Sequence, residues 1–391
     1  MEFLFWFCAV AAIYPYTLFP GALWVASAVF RPDRAAGVRA GEQPSFNAAP
    51  FSVIVAAHNE EKNIVRKIEE LIPALALDPK NELIVVSDHS SDGTIVAAKS
   101  VVHPRIRVLD NAGIRGKAGA TNHAVPHAQN ECLVFSDVET RVPTETITKM
   151  VEMLGRPQVG CVNAQIAFAN EGDDKVADAA GLYWRFEMWL RTVETNLNLY
   201  ATSSGPCMAF RRSLFKELPS TGDADFTTPL DVIEAGYACV HMADWLAFDV
   251  MPQGADVEFR IRVRMVAKNF SGTITRWGWR NVFRRPLYTW ALYSHKILRW
   301  LTPFFLLCAL TTNLLLIGRS WIYDVALALQ LAFCGAAFAG WIAYRYNKAW
   351  PIVPQVYAFA LANVAFFIGV LKSILGGAPA FYVPTRQLQN K

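Results

Sequence analysis

Four stretches of this chain contain no Asp, Glu, Lys or Arg: residues 3–30, 300–318, 325–344 and 349–371. A helix that crosses the hydrocarbon core of a bilayer needs roughly 20 apolar residues, and each run meets or nearly meets that length. The alternative for each is a buried helix of a large soluble domain, where so long a run without charge is rare. Pro15 and Pro20 interrupt the first run, which therefore reads as a kinked or re-entrant segment as well as a span. Ala26-Ser27-Ala28 has the small-residue pattern of a cleavage site. A signal peptide has a basic leader and a shorter apolar core, whereas Glu2 stands at this start, so a retained anchor is expected.

Of the 391 residues, 53% are hydrophobic and only 18% are charged, against about 25% in an average soluble protein. That excludes an ordinary cytosolic enzyme, a disordered chain and a small disulfide scaffold. It does not describe a pure transporter either. Residues 31–299 have soluble composition and room for a full core, and the apolar runs hold no charge to mark an ion path. The seven cysteines form no CxxC pair and read as reduced core or lipid-facing residues.

Basic residues set the expected orientation. Arg31, Arg34 and Arg39 follow the first run, and Arg345 and Lys348 lie between the last two, which puts the middle domain and that loop in the cytoplasm. Lys372, Arg386 and Lys391 conflict with this, since four spans place the tail outside; either the first run does not fully cross or the tail breaks the rule. Between Arg260 and Arg319 there is no acidic residue, and Arg276, Trp277, Trp279, Arg280, Arg284, Arg285, Trp290, Lys296, Arg299 and Trp300 alternate cations with aromatics. Nucleic acid is a poor partner for a basic patch placed just before a span; amphipathic helices on an anionic membrane face fit it better. The expected organisation is an anchor over 1–30, a linker over 31–50, an α/β domain over 51–260, interfacial helices over 261–299, three transmembrane helices over 300–375 and a tail over 376–391.

In the α/β domain the continuous apolar runs 51–57 and 82–87 read as strands buried on both faces. Further short strands fall at 105–109, 131–135 and 159–164, with helical stretches at 62–77, 93–101, 117–128 and 143–154 between them. Such alternation predicts a mostly parallel sheet covered by helices, and ligands of these sheets bind beyond the carboxyl ends of the strands. The polar motifs fall there. The first strand runs into His58-Asn59-Glu60-Glu61 and the second into Asp88-His89-Ser90-Ser91-Asp92-Gly93-Thr94; taken alone, the latter is also a plain turn and helix cap. Lys117 stands at a glycine-flanked helix start, where backbone N–H groups and an ammonium suit a diphosphate. Asp137 and Glu139, two apart beyond the fourth strand, form a donor set for one hard divalent ion or simply a solvated strand end. Ser204-Gly205-Pro206 leads into Phe210-Arg211, and Thr221-Gly222-Asp223-Ala224-Asp225 precedes Gly236.

Taken in order over residues 50–300, these motifs resemble the family 2 glycosyltransferases of the GT-A fold, a Rossmann-like mixed sheet. The resemblance implies that Glu60 lies by the nucleotide and that Asp88 accepts the N3–H of uracil. It implies that Lys117 contacts the donor phosphates, and that Asp137 with Glu139 occupies the family's Asp-x-Asp position and holds Mg2+ or Mn2+. Gly205, Pro206 and Arg211 correspond to the floor of the acceptor site. Asp225, eleven residues before Gly236, corresponds to the general base, with Ala224 where the family usually has an acid. Of the Gln-x-x-Arg-Trp element of processive synthases only Arg264 is present, as a residue for a donor phosphate. The implied activity is inverting transfer from a UDP-sugar to a lipid-linked sugar or growing glycan at a bacterial inner membrane, with membrane lipids, further copies of the chain or other assembly proteins as partners. A processive synthase that exports its polymer is the alternative; Glu139 and Ala224 also leave room for a non-catalytic glycan-binding subunit.

Overall fold

The computed structural model describes residues 1–29, 49–168, 175–203, 205–220, 222–250, 254–346 and 353–377, with only the backbone over 175–182. Arg31, Arg34, Arg39, Ser204, Thr221, Lys348, Arg386 and Lys391 lie outside the described residues, as does most of the expected linker. In chain order the elements are α1 (Glu2–Ile13), α2 (Leu18–Val29), β1 (Phe51–Ala57), α3 (Ile64–Leu75), β2 (Glu82–Ser87), α4 (Thr94–Ser100), β3 (Ile106–Asp110) and α5 (Lys117–Ala124). They continue as β4 (Cys132–Ser136), α6 (Thr144–Leu154), β5 (Val159–Phe168), α7 (Lys175–Asn196), β6 (Cys207–Arg211), α8 (Ala224–Glu234) and β7 (Ala238–Asp249). Six helical segments follow among the described residues: α9 (Ala255–Arg284), α10 (Pro286–Leu292), a π-turn over Tyr293–Ile297, α11 (Leu298–Leu314), α12 (Trp321–Arg345) and α13 (Val353–Ile374).

The seven strands form one sheet in the order β3-β2-β1-β4-β6-β5-β7. All pairs are parallel except those of β6, which runs antiparallel between β4 and β5. Alternating strand residues feed two cores, as the period of a pleated strand requires. Val53, Val55, Leu83 and Val134 pack with Ile68, Leu71, Ile147 and Met150 on one face. Ile54, Ile84, Val86 and Phe135 pack with Ala120, Ala124, Leu230 and Ile233 on the other. Each such side chain contributes about 1.5–3 kcal/mol on burial, so the central strands are held from both sides.

The expected strands 51–57 and 82–87 appear with those bounds, and the next two shift by one residue. What the apolar pattern did not reveal is β7, whose polar His241 and Asp244 break the run, and α7. β7 pairs β5 with register shifts at two places, which is why no simple alternation marks it.

Among the described residues three helices are long and apolar enough to cross a membrane: Pro286–Leu314, Trp321–Arg345 and Val353–Ile374. A fourth candidate is the pair Glu2–Tyr16 and Leu18–Val29, bent by 47° where Pro15 was expected to break it. The first long helix begins at Pro286, before the charge-free run that starts at residue 300. The reason is that Lys296 and Arg299 turn into the protein, onto Glu187 of α7 at 2.6 and 2.8 Å. The stretch 261–299, expected to form interfacial helices, comprises the long α9, broken at Gly278 (φ 64°, ψ 162°), followed by the start of that helix. Val266 and Phe270 of α9 pack with Trp300, Phe366 and Val370, so α9 joins the α/β domain to the apolar helices.

Gly119 shows how tightly α5 is seated. A Cβ there would lie 1.8 Å from the Ile114 carbonyl oxygen, a backbone atom that cannot swing away. Gly119→Ala is expected to destabilise the protein by about 1–3 kcal/mol and to weaken nucleotide binding, because α5 carries Lys117. Thermal unfolding followed with and without nucleotide checks this; an unchanged midpoint would show that the loop yields freely.

Candidate active site

Two turns at neighbouring strand ends brace one another. Asn59 and His89 both take left-handed backbone conformations (φ 56° and 50°), which are uncommon outside glycine. Asn59 Oδ1 accepts the Ser91 N–H at 2.8 Å, and the Glu60 N–H donates to Thr94 Oγ1 at 2.8 Å. The Asp92-Gly93-Thr94 turn, in which Asp92 Oδ1 accepts the Thr94 N–H at 3.0 Å, leads into α4 and is also a strut for the turn after β1. Glu60 faces the cleft while its carboxylate accepts from Asn63 Nδ2 at 2.7 Å.

Asp88, 5% exposed, anchors the next element. Its two oxygens both accept the Gly116 N–H at 2.9 Å, and Oδ1 also accepts from Asn111 at 3.1 Å. Gly116 has φ 115°, a conformation that favours glycine, and it hands the chain to Lys117 at the start of α5. The Lys117 ammonium pairs with Asp137 Oδ1. That pairing, with Asp225 and Asp223 adding to it, holds Lys117 above the usual lysine range against the opposite pull of burial.

Glu60, Asp88, Lys117, Asp137 and Glu139 line one cleft of about 400 Å³. A second lobe of about 370 Å³ shares Lys117 and Asp137 and adds Thr121, Phe135, Met208, Gly205 and Asp225. Gly205 lies directly against the Asp225 carboxylate: a Cβ on it would come 3.1 Å from Oδ2. The Pro206 carbonyl accepts the Asp137 N–H at 3.2 Å, and the Asp225 carbonyl accepts the Ser203 N–H at 3.1 Å. These two bonds tie the loop before β6 to the end of β4 and to the first turn of α8.

The carboxylates of α8 differ in character. Burial, helped by the charge of Asp223, pushes Asp225 up to about 6, with Lys117 opposing. Burial acts the same way on Asp223, but Lys268, Lys117 and Arg264 outweigh it and hold that carboxyl below its usual range. Lys268 Nζ lies 2.7 Å from Asp223 Oδ1, and Asn269 donates to Oδ2 at 3.3 Å. Lys268 and Asn269 were not picked out from the sequence. The available signal was their place one turn after Arg264, since residues four apart share a helix face.

Most of the residues singled out in the sequence therefore meet around the two lobes, with Arg264 beside Asp223. Arg211 does not, and its assignment to the acceptor floor is corrected. β6 is antiparallel to β4, so Cys207 pairs with Ser136 at the cleft end while Arg211 pairs with Cys132 at the far end. There its guanidinium donates to the carbonyls of Leu154, Arg156 and Val159, each at 2.9 Å.

Among the described residues no three His, Cys, Asp or Glu side chains form a metal-holding group. A hard divalent ion in such a cleft takes one or two carboxylates and completes its shell with phosphate oxygens and water. Asp137 and Glu139, facing the same lobe, are a donor set of that kind.

The family model described as "Glycosyl transferase family 2" matches residues 52–219. Over 241 residues the chain is 23% identical to an N-acetylglucosaminyltransferase of Bradyrhizobium diazoefficiens, covering 58% of this chain and 50% of that protein. Over 188 residues it is 26% identical to a beta-monoglucosyldiacylglycerol synthase of Trichormus variabilis, covering 47% and 40%. The chain thus spans half or less of the length of these relatives. Among solved structures, a mannosyltransferase of Pyrobaculum calidifontis, in complex with GDP-Man and Mn2+, superposes with a TM-score of 0.59 at 22% identity, over 91% of this chain and 99% of that one. This likeness shows a shared GT-A fold.

Arg211→Met should lower the unfolding temperature, because three carbonyls lose their donor, and leave turnover per folded molecule unchanged. A selective rise in KM for the second substrate, at unchanged stability, would return Arg211 to the site.

Proposed function

Residues 52–219 belong to glycosyl transferase family 2, and from that premise we propose that the protein transfers a sugar, with inversion, from a UDP-sugar to an acceptor at a membrane surface in polysaccharide or glycolipid synthesis. The observation that carries this reading is the continuity of the two lobes: Lys117 and Asp137 line both, and Asp225 closes the second. In this reading Glu60 and Asp88 face the nucleotide, Lys117 the diphosphate, and the second lobe takes the sugar. Arg264, next to Asp223, adds positive charge at the diphosphate side. Gly205 and Pro206 form the floor on which the acceptor rests.

The reaction follows from that placement. Asp225 accepts the proton of an acceptor hydroxyl as its oxygen bonds to the anomeric carbon, and the bond from that carbon to the diphosphate oxygen breaks on the opposite face. Base assistance of this kind is worth about 10²–10⁴-fold. Asp225, raised to about 6, is ionised near neutrality and a stronger base than an ordinary carboxylate. Negative charge grows on the departing diphosphate, and Lys117 stands there without reorganising. Asp137 with Glu139 would hold Mg2+ or Mn2+, whose charge assists departure of the diphosphate.

Long apolar helices next to the α/β domain, and exposed Trp279 and Phe283 beside exposed Arg280 and Arg284, suit a multi-pass inner-membrane protein whose α/β domain works at the cytoplasmic lipid surface. A lipid-linked sugar or growing glycan is the substrate such a placement favours, and one of the relatives is itself named for glycolipid synthesis. Lack of the glutamine and tryptophan of the processive element favours single transfer over polymerisation. Radiolabelled nucleotide sugars supplied with native lipids decide between them: a one-sugar lipid product is expected, and a long polymer would assign the chain to the processive class.

Two variants test the site. Asp225→Asn should keep donor affinity and lose about 10²–10⁴-fold in kcat, and wild-type turnover should fall as pH drops through about 6, where the base takes up its proton. Near-normal turnover by Asp225→Asn on its true acceptor would remove that role. Asp137→Ala should abolish Mn2+-dependent donor binding in calorimetry; equal donor affinity with and without Mn2+ in the wild type would count against a metal at this position.

A further inference from the structure

The buried charges around α8 come from two sources that the sheet does not connect. Lys117 and Asp137 belong to the sheet's carboxyl edge, whereas Lys268 and Arg264 come from α9. The Lys268 side chain is 5% exposed and lies 2.7 Å from Asp223 Oδ1, while Asn269 holds Oδ2 at 3.3 Å. Both oxygens of Asp223 are therefore tied to α9. The backbone of Asp223 is tied to α8, its carbonyl accepting the N–H groups of Phe226 and Thr227 at 3.1 Å and the Thr227 hydroxyl at 3.0 Å. Burying an ammonium costs several kcal/mol before its partner offsets it, and apolar packing would often do the structural task as well. Two residues on stands Asp225. The charged groups facing this pair are Lys117 from α5, Asp137 from the end of β4, and Arg264 and Lys268 from α9.

We propose that Lys268 is a positioning residue for the transfer reaction: it orients Asp223 beside the base Asp225 and sets a positive charge against the pair, so that α9, the helix packed on α13, governs when the base carries its charge. The inference rests on the reading of Asp225 as general base. Its physical content is a pair of opposed effects. The negative charge of Asp223 makes Asp225 hold its proton more tightly, and the positive charge of Lys268 moderates both carboxylates. Val266, two residues before Lys268, lies against Gly369 of α13, where an added Cβ would come 2.7 Å from the Val266 Cβ. The same stretch of α9 thus packs on α13 through Val266 and holds Asp223 through Lys268.

The test is the pH profile of transfer by the full chain in lipid nanodiscs, from about pH 5 to pH 9, at fixed Mn2+ and saturating donor. Lys268→Met should move the acid limb up, by at most about one unit, since the Asp223–Asp225 pair loses a positive charge held 2.7 Å from Asp223. Asp223→Asn should move it down, because Asp225 loses a like charge. Lys268→Arg should restore the wild-type limb. Rates are taken per molecule competent to bind donor, so partial unfolding does not mimic a shift; if Lys268→Met does not fold, Lys268→Gln replaces it. Variants that lose rate with the limb in place, or that both move it the same way, overturn the proposal. Failure of the parent reading looks different: Asp225→Asn would then transfer sugar with an unchanged acid limb.

Discussion

Three carboxylates, Asp137, Asp223 and Asp225, converge on one small region, and like charges in a poorly solvated cleft repel strongly. The structure answers with interleaved ammonium groups: Lys117 between the sheet edge and α8, and Lys268 between α8 and α9. Almost every other feature of the site serves to hold those two lysines. Gly116 and Asp88 set the start of α5, Gly119 lets α5 lie against its own loop, and the packing of α9 on α13 seats Lys268. The balance leaves one carboxylate below its usual range and its neighbour raised to about 6. Pairs of titratable groups pushed apart in this way characterise acid–base sites.

A second buried charge cluster organises the join between the domain and the apolar helices. Glu187 of α7 accepts from Lys296 and Arg299 at 2.6 and 2.8 Å, and from Arg191 at 3.2 Å. His295 stands between Glu187 and Glu194, with a ring nitrogen near each at 3.0 and 2.6 Å. Burial pushes Glu187 up, but His295, Lys296 and Arg191 outweigh it and hold the carboxyl well below its usual range. The π-turn at Tyr293–Ile297 presents His295 and Lys296 to the same carboxylate, a use of that geometry common where side chains must converge. Lys296 and Arg299, which looked interfacial in the sequence, are consequently internal ties, while Trp279, Arg280, Phe283 and Arg284 stay exposed.

Several parts of this architecture were legible beforehand for identifiable reasons. β1 and β2 are buried on both faces, so their apolar runs carried unambiguous boundaries. The break near Pro15 followed from a ring that lacks an N–H. Lys117 and Asp137 could be singled out because motifs that follow successive parallel strands meet at one edge of the sheet, whereas Asp225 was singled out by the resemblance to family 2 glycosyltransferases, eleven residues before Gly236. Arg211 was misplaced because nothing local announced that β6 runs antiparallel, and reversing a strand exchanges its two ends. α7 escaped notice because its polar residues are satisfied by distant partners, as Glu187 illustrates, and β7 because the buried polar His241, whose ring lies beside Tyr200, interrupts its apolar run.

By itself the sequence determined composition, the apolar helices, the parallel half of the sheet and the set of polar residues at its carboxyl edge, all properties of short-range periodicity and charge spacing. Only the tertiary structure decided which cations neutralise which carboxylates, where Arg211 points, and that Lys268 reaches Asp223. Those outcomes depend on contacts between residues tens of positions apart, and a Coulomb interaction is set by separation in space, on which spacing along the chain places almost no bound.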